Sequence, residues 1–325
     1  MMMRYKRWLV VVAILSLMVG GCRKPTSENE AGQAVYDPAK DPLVNPPVMF
    51  EPAPEDLAQI ATDETLYLVL EGNPNTLNPL FISSMVEFLT VDTLYSGPFT
   101  FDKDMVWKLS DDYVDHFEES EDHTVCILKL KPGLTWHDGV PLTAHDIVYS
   151  WGQILDDRVP CQTQKATTEP IKECVAIDDL TVKYVQPDGL ATRLWNLIFP
   201  IIPKHIFEVD KANNPDLLSG TYYNQQARHP VGSGPYKIVE WIENDKIVVE
   251  RWEDYKGKKP YFKRIVFKII PDQNMCLLAF EKGDIDVIWH MNAQQFAYES
   301  NTDSFKRVGH KSLGREWGFS YIGGI

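Results

Sequence analysis

The residues that come nearest to a reactive set are His137, Asp138, His145 and Asp146, two His-Asp pairs within ten positions. Metal catalysis needs donors aimed at one point, as in His-Glu-x-x-His on one helix face or in paired Cys ligands a few residues apart. The other six His are scattered and complete no such set, while a turn and a helix cap account for the two pairs. No metal ligand and no cofactor is assigned. Gly232-Ser233-Gly234 is the second candidate. A nucleophile elbow keeps a residue between its serine and each outer glycine, and a phosphate loop runs into Gly-Lys-Ser/Thr. Here both glycines adjoin the serine, and Pro235 removes an N–H that an anion would need. The tripeptide reads as a tight turn. No catalytic residue is assigned: a hydrolase would require a cleft nucleophile of shifted acidity, and the sequence offers none.

Cys22 is the thiol with a chemical context. Arg4, Lys6 and Arg7 precede an apolar run from Leu9 to Val19, and Gly20-Gly21-Cys22 follows it. The eleven residues of that run rise only ~16 Å as a helix, about half of the ~30 Å hydrocarbon core, so they read as an export signal over residues 1–21 and not as a membrane span. From Cys22 to residue 61 the chain reads as a flexible tether, because the 39 residues after Cys22 carry seven Pro among Ser, Asn, Glu and Asp. Such a segment buries too little apolar surface to offset the entropy of ordering.

The whole chain has 325 residues, 44% of them hydrophobic, enough for two domains. Thirty-two Lys and Arg against 46 Asp and Glu leave a net charge of −14. A surface that tracks phosphates would have to cluster its cations against that field, so nucleic acid is excluded as a partner. Cys161 and Cys174 flank a 12-residue gap within a polar excursion, 156–179. In an exported chain a disulfide between them, worth roughly 3 kcal/mol by loop closure, and free surface thiols are both open. Cys126 and Cys276 sit in apolar segments and read as buried small hydrophobes.

The elements that would position these residues follow from periodicity and punctuation. Thr65–Leu70 is a strand ended by Glu71-Gly72-Asn73-Pro74, and Val86–Tyr95 a helix closed by Gly97-Pro98. Thr124–Leu130 is a strand stopped by Lys131-Pro132-Gly133. A helix opens beyond Thr143, with Thr143 at the N-cap, Asp146 at N3 and an apolar stripe of Ile147, Val148, Trp151, Ile154 and Leu155. The sequence predicts strands at Leu180–Val185, Tyr236–Trp241, Lys246–Arg251 and Arg264–Ile270, and a helix at Gln273–Glu281 with Gly283 beyond its end. Ile285, Val287 and Trp289 alternate with polar residues as a half-exposed strand, and 208–229 reads as polar surface. Strand, loop and helix in alternation predict an α/β fold.

Several of these stretches resemble one family. Thr124 to Asp146, centred on Trp136-His137-Asp138-Gly139, resembles the characteristic segment of bacterial extracellular solute-binding proteins of family 5, the oligopeptide and dipeptide binders of ABC importers. Val231 to Lys237 and Trp252 to Pro260 resemble that family's glycine-rich turn and aromatic loop, and Ile265–Ile270 with Leu278–Asp286 its strand-helix-strand block. Val19-Gly20-Gly21-Cys22 resembles a lipobox, which implies cleavage before Cys22 and diacylation of its sulfur.

The resemblance, over residues 65–321, implies a periplasmic-binding-protein-like α/β architecture of three lobes. Lobe I would comprise 62–96 and 198–320, domain II 97–197, and 321–325 would begin the crossover to a third lobe, the ligand-closing one, which the sequence is expected to lack. It implies a lipid-anchored protein of the cell envelope, monomeric when complete, that binds a peptide or other small solute and delivers it to an ABC permease and its ATPase. The ligand contacts it implies are Asn75, Leu77 and Asn78 in the first loop, Gly232, Ser233 and Gly234 in the turn, and Trp289, His290, Trp317 and Tyr321 near the lobe edge. Trp136 and Trp151 are read as packing residues. A one-sided cleft is expected to bind more weakly than about 1 mM, so a non-transporting family member stands as the alternative to an importer component.

Overall fold

The computed structural model describes residues 64–101, 107–213, 221–291, 295, 311–315 and 318–322. The export segment, Cys22, the tether and Trp317 lie outside them. Among the described residues no helix is long and apolar enough to cross a membrane. In chain order the strands are β1 (Thr65–Leu70), β2 (Phe99–Phe101), β3 (Trp107–Leu109), β4 (Val114–Glu119), β5 (Val125–Leu130), β6 (Glu173–Ala176), β7 (Thr181–Val185), β8 (Tyr236–Ile242), β9 (Lys246–Arg251), β10 (Arg264–Ile269), β11 (Val287–Met291), β12 (Lys311–Arg315) and β13 (Gly318–Ile322). The α-helices are α1 (Met85–Leu94), α2 (Ala144–Leu155), α3 (Gln162–Thr168), α4 (Lys204–Asn213), α5 (Thr221–Arg228) and α6 (Gln273–Glu281).

These elements divide into two compact units, one from 64–71 and the residues from 270 onwards, the other from 72–101 and 107–269. In the first, β1 buries Leu66, Leu68, Val69 and Leu70. The Asp286 carboxylate accepts the Tyr67 N–H at 2.7 Å while the Asp286 N–H donates to the Tyr67 carbonyl, tying the approach to β11 onto β1. A three-stranded antiparallel sheet runs β11-β13-β12, with Ile288 opposite Tyr321. Asp272 caps α6 by accepting from Asn274 and Met275 N–H, and Gly283, at φ +76°, turns the chain beyond its end as its position predicts.

The second unit holds an antiparallel sheet in the order β4-β5-β7-β6 and the meander β8-β9-β10. Alternation decides the inner face of the first sheet: Cys126, Leu128 and Leu130 of β5 and Val182 and Tyr184 of β7 are buried, with α2 packed against β6 and β7. Trp136 is fully buried in the same core. Predicted and observed limits agree within two residues for β1, α1, β5, β7, β8, β9, β10 and α6.

The polar excursion 156–179 carries α3 and β6, and the polar stretch 208–229 carries the end of α4 and all of α5. Cys161 and Cys174 are neither bridged nor at the surface: both are free and buried. They belong to separate apolar clusters, Cys161 with Ile154, Val159 and Phe207, and Cys174 opposite Tyr184 in the sheet core.

The face of α2 differs as well. Ile147 and Ile154 are fully buried, but Trp151 is half-buried, and Asp146, Ser150 and Gln153 lie inside. The reason is main-chain satisfaction: Ser150 Oγ accepts the Ile202 N–H at 2.8 Å and Asp146 Oδ1 the Lys204 N–H at 2.9 Å, from a segment whose prolines deny it a sheet partner. Asp146 Oδ2 also accepts from Thr143 N–H, at 2.8 Å, and from the Thr143 hydroxyl. Trp151→Ala is accordingly expected to cost about 2 kcal/mol in urea melts, below the 3–5 kcal/mol typical of a fully buried indole. A loss above about 3 kcal/mol would place Trp151 wholly in the core.

Candidate functional site

The first loop descends from β1 into α1. Leu77 is fully buried and its N–H donates to the Ala227 carbonyl at the end of α5, 2.9 Å away. Asn78 is also buried, accepting the Leu80 N–H at 3.1 Å and donating its own N–H to Thr76 Oγ1 at 3.0 Å, which opens a short 3-10 turn, Pro79–Phe81. Asn75 is exposed. The loop is held from behind by Glu87, a buried carboxylate in the first turn of α1. One of its oxygens accepts from Ser83 N–H at 2.7 Å and Ser84 N–H at 3.0 Å, the other from Asn75 N–H at 3.2 Å. Burial opposes its ionisation, but the main-chain bonds from Ser83, Asn75 and Ser84 outweigh that cost and hold its pKa below the usual value.

The glycine turn is a packed junction. Gly232, Ser233 and Gly234 are buried against the end of α1, where the Gly234 N–H donates to the Leu94 carbonyl at 2.8 Å. Ser233 Oγ donates to the Ser96 carbonyl at 2.9 Å and accepts the Ser96 N–H at 3.2 Å. Tyr113 Oη donates to the Ser233 carbonyl at 2.6 Å. His137 grips the turn on both sides: Gly232 N–H donates to Nδ1 at 3.1 Å, and Nε2 lies 3.0 Å from the Gly234 carbonyl. Those partners fix the neutral tautomer with its proton on Nε2. The His137 N–H also donates to the Gly232 carbonyl, at 2.8 Å.

Aromatic and charged groups close the junction. The Trp252 ring stands edge-on to His137 at 4.9 Å, and Lys237 Nζ lies 4.8 Å from the Trp252 centroid while donating to the His137 carbonyl. In the aromatic loop, Asp112 accepts from Lys258 N–H at 2.9 Å and Tyr255 Oη at 3.1 Å, and Gly257 lies so near the Asp112 side chain that a Cβ would overlap it. Gln226 Oε1 accepts the Val231 N–H at 2.9 Å and so joins α5, which also holds Leu77, to the turn.

The structure thus gathers Asn75, Leu77 and Asn78 into one loop and Gly232–Gly234 into one turn, both tied to α5. Each named main-chain or hydroxyl group of the turn already has a protein partner. Trp289 and His290 lie on β11 and Tyr321 on β13, and their side chains are not among the described ones. The four nearest metal candidates go to different partners: His137 to the turn, Asp138 to His205 at 2.8 Å, His145 to Asp179 at 3.2 Å, and Asp146 to Thr143 and Lys204. Burial raises the thiol of Cys126 to about 11, that of Cys174 to about 12 and that of Cys276 to about 11, so none of these is a ready nucleophile. Sequence reasoning missed Glu87, Tyr113 and Gln226 as holders of the two loops and took His137 only for a turn residue. The Trp-His-Asp-Gly run was the available signal for His137.

The chain belongs to the bacterial extracellular solute-binding proteins, family 5, whose middle-region model matches residues 91–322. The oligopeptide-binding protein AppA of Bacillus subtilis is 29% identical over 222 residues, covering 66% of this chain and 38% of AppA. The glutathione-binding protein GsiB of Pectobacterium atrosepticum is 26% identical, covering 73% and 44%. Among solved structures, the ABC transporter substrate-binding protein CtaP of Listeria monocytogenes is 30% identical with a TM-score of 0.61, covering 72% of this chain and 46% of CtaP. The AppA structure with a nonapeptide gives 26% and 0.63, covering 74% and 46%. The chain spans less than half the length of each of these four matches.

Proposed function

We propose that this chain is the lipid-anchored solute-binding component of an ABC importer, taking up peptides outside the cytoplasmic membrane and handing them to a permease driven by its ATPase. The observation that carries the reading is the family match over residues 91–322, to which relatives named for oligopeptide and dipeptide binding add the ligand class. In this reading, residues 62–96 and 198–320 form lobe I and 97–197 domain II. Asn75 presents the first loop to the solute, with Leu77 and Asn78 shaping it. Gly232, Ser233 and Gly234 fix the wall behind, and Trp289, His290, Trp317 and Tyr321 line the lobe edge. Disrupting the gene is expected to lower uptake of radiolabelled di- to pentapeptides at least about tenfold, with recovery when the chain is restored. Unchanged uptake would count against the importer role.

The anchor is tested separately. Labelled palmitate is expected to enter the wild-type chain and not Cys22→Ser, because the thiol is the acylation site, with the folded body unaffected. Equal labelling of both would remove the lipid anchor from the proposal.

A further inference from the structure

We propose that Glu87 is a positioning residue for solute binding, setting the shape of the 72–78 loop through its second carboxylate oxygen. This rests on the peptide-binding reading above. An N-terminal helix cap needs one acceptor at N3, and Glu87 Oε2 already supplies it, accepting from Ser84 N–H at 3.0 Å, Ser83 N–H at 2.7 Å and the Ser83 hydroxyl at 3.3 Å. Oε1 is surplus to the cap. It reaches back twelve residues to the Asn75 N–H at 3.2 Å, in the loop that the proposed function turns toward solute.

The environment supports a role beyond capping. Capping carboxylates ordinarily stay in water, where their charge is solvated, whereas Glu87 is fully buried and Ser84, the cap itself, is exposed. A buried carboxylate is costly unless hydrogen bonds surround it, and here those bonds come from two separate stretches, 75 and 83–84. One anion therefore fixes both at once. The same loop is clasped further out by Asn73 and Asn244, where the Asn244 N–H donates to Asn73 Oδ1 at 2.9 Å, and by the Leu77 N–H on Ala227. Without Oε1, the Asn75 end of the loop loses its inner support while these outer ties remain.

The test compares Glu87→Gln, which keeps the side-chain shape but turns one acceptor into a donor, with Leu89→Ala, which removes a buried core side chain of the same helix and leaves the Glu87 carboxylate in place. Affinity is measured by calorimetry on the full chain with the tightest-binding member of a di- to pentapeptide library. Glu87→Gln is expected to weaken binding at least tenfold, and Leu89→Ala to stay within twofold although it unfolds at lower urea. In the wild type, which needs no substitution, the amide NMR signals of Asn75, Ser83 and Ser84 are expected to shift together on peptide addition. Wild-type affinity in Glu87→Gln, equal losses in both variants, or unmoved signals for those three amides would overturn the assignment while leaving the peptide-binding reading standing. Absence of binding by the wild type to every peptide would overturn both.

Discussion

Gly232→Ala is expected to destabilise the chain by about 4 kcal/mol or to prevent folding outright. A Cβ at this position would stand 2.0 Å from the Leu94 carbonyl oxygen and 3.0 Å from His137 Cε1. The first contact is with main chain at the end of α1, which cannot swing aside as a flexible side chain can, so the turn must move. Movement breaks the bonds to His137, Leu94 and Tyr113 together, which puts the change among the few mechanisms that exceed ordinary overpacking. Gly152→Ala is the matched control. It lies inside α2 with nothing within 4 Å of its would-be Cβ, and there alanine is expected to stabilise by roughly 0.5–1 kcal/mol. Urea melts of the pair should therefore move in opposite directions; a loss below about 1 kcal/mol for Gly232→Ala would show that the junction yields.

Acid should loosen the same junction through His137. Burial lowers its pKa to about 4; the Gly234 bond opposes that fall, the Lys237 charge adds to it, and the Asp138 charge works against it. The sign follows from where the second proton would go: onto Nδ1, against the Gly232 N–H. The unfolded chain takes up that proton below about pH 6.5, whereas the folded chain resists it until about pH 4. The contribution is therefore complete above pH 6.5 and lost as pH falls toward 4, about 3 kcal/mol in all and about 2 kcal/mol by pH 5. Asp92, pushed up to about 6, titrates inside that interval with the opposite slope, so the diagnostic is the difference in slope between wild type and His137→Gln from pH 6.5 to 5. His137→Gln should be less stable at pH 7 and should flatten that slope. Equal slopes for wild type and His137→Gln from pH 7 to 5 would mean that the imidazole is protonated in place.

The elements legible in the sequence were those with an apolar period and sharp ends. β5 is an apolar run stopped by Lys131-Pro132-Gly133, and α6 sits between Asp272 and Gly283. α3, β6, α4 and α5 fall in polar stretches without an apolar period, and the few buried residues that anchor such elements, Cys161 in the cluster with Phe207 and Cys174 opposite Tyr184, make no local pattern. The same limit applied to α2. Its apolar stripe gave the helix and nearly its face, but no local pattern announces that Asp146 and Ser150 will receive N–H groups from residues more than fifty positions on. For the site, motif resemblance located the glycine turn and the first loop. Their holders were illegible: Tyr113 meets Ser233 across 120 residues and His137 meets Gly232 across 95, and no local pattern assigns the Glu87 oxygen that accepts from Asn75.

Peptide recognition is the central claim, and calorimetric titration of the purified chain with a di- to pentapeptide library tests it most directly. The account predicts saturable binding of at least one peptide, with heat abolished when the chain is unfolded beforehand in urea. No heat of binding from any member of the library, at concentrations up to several millimolar, would contradict it.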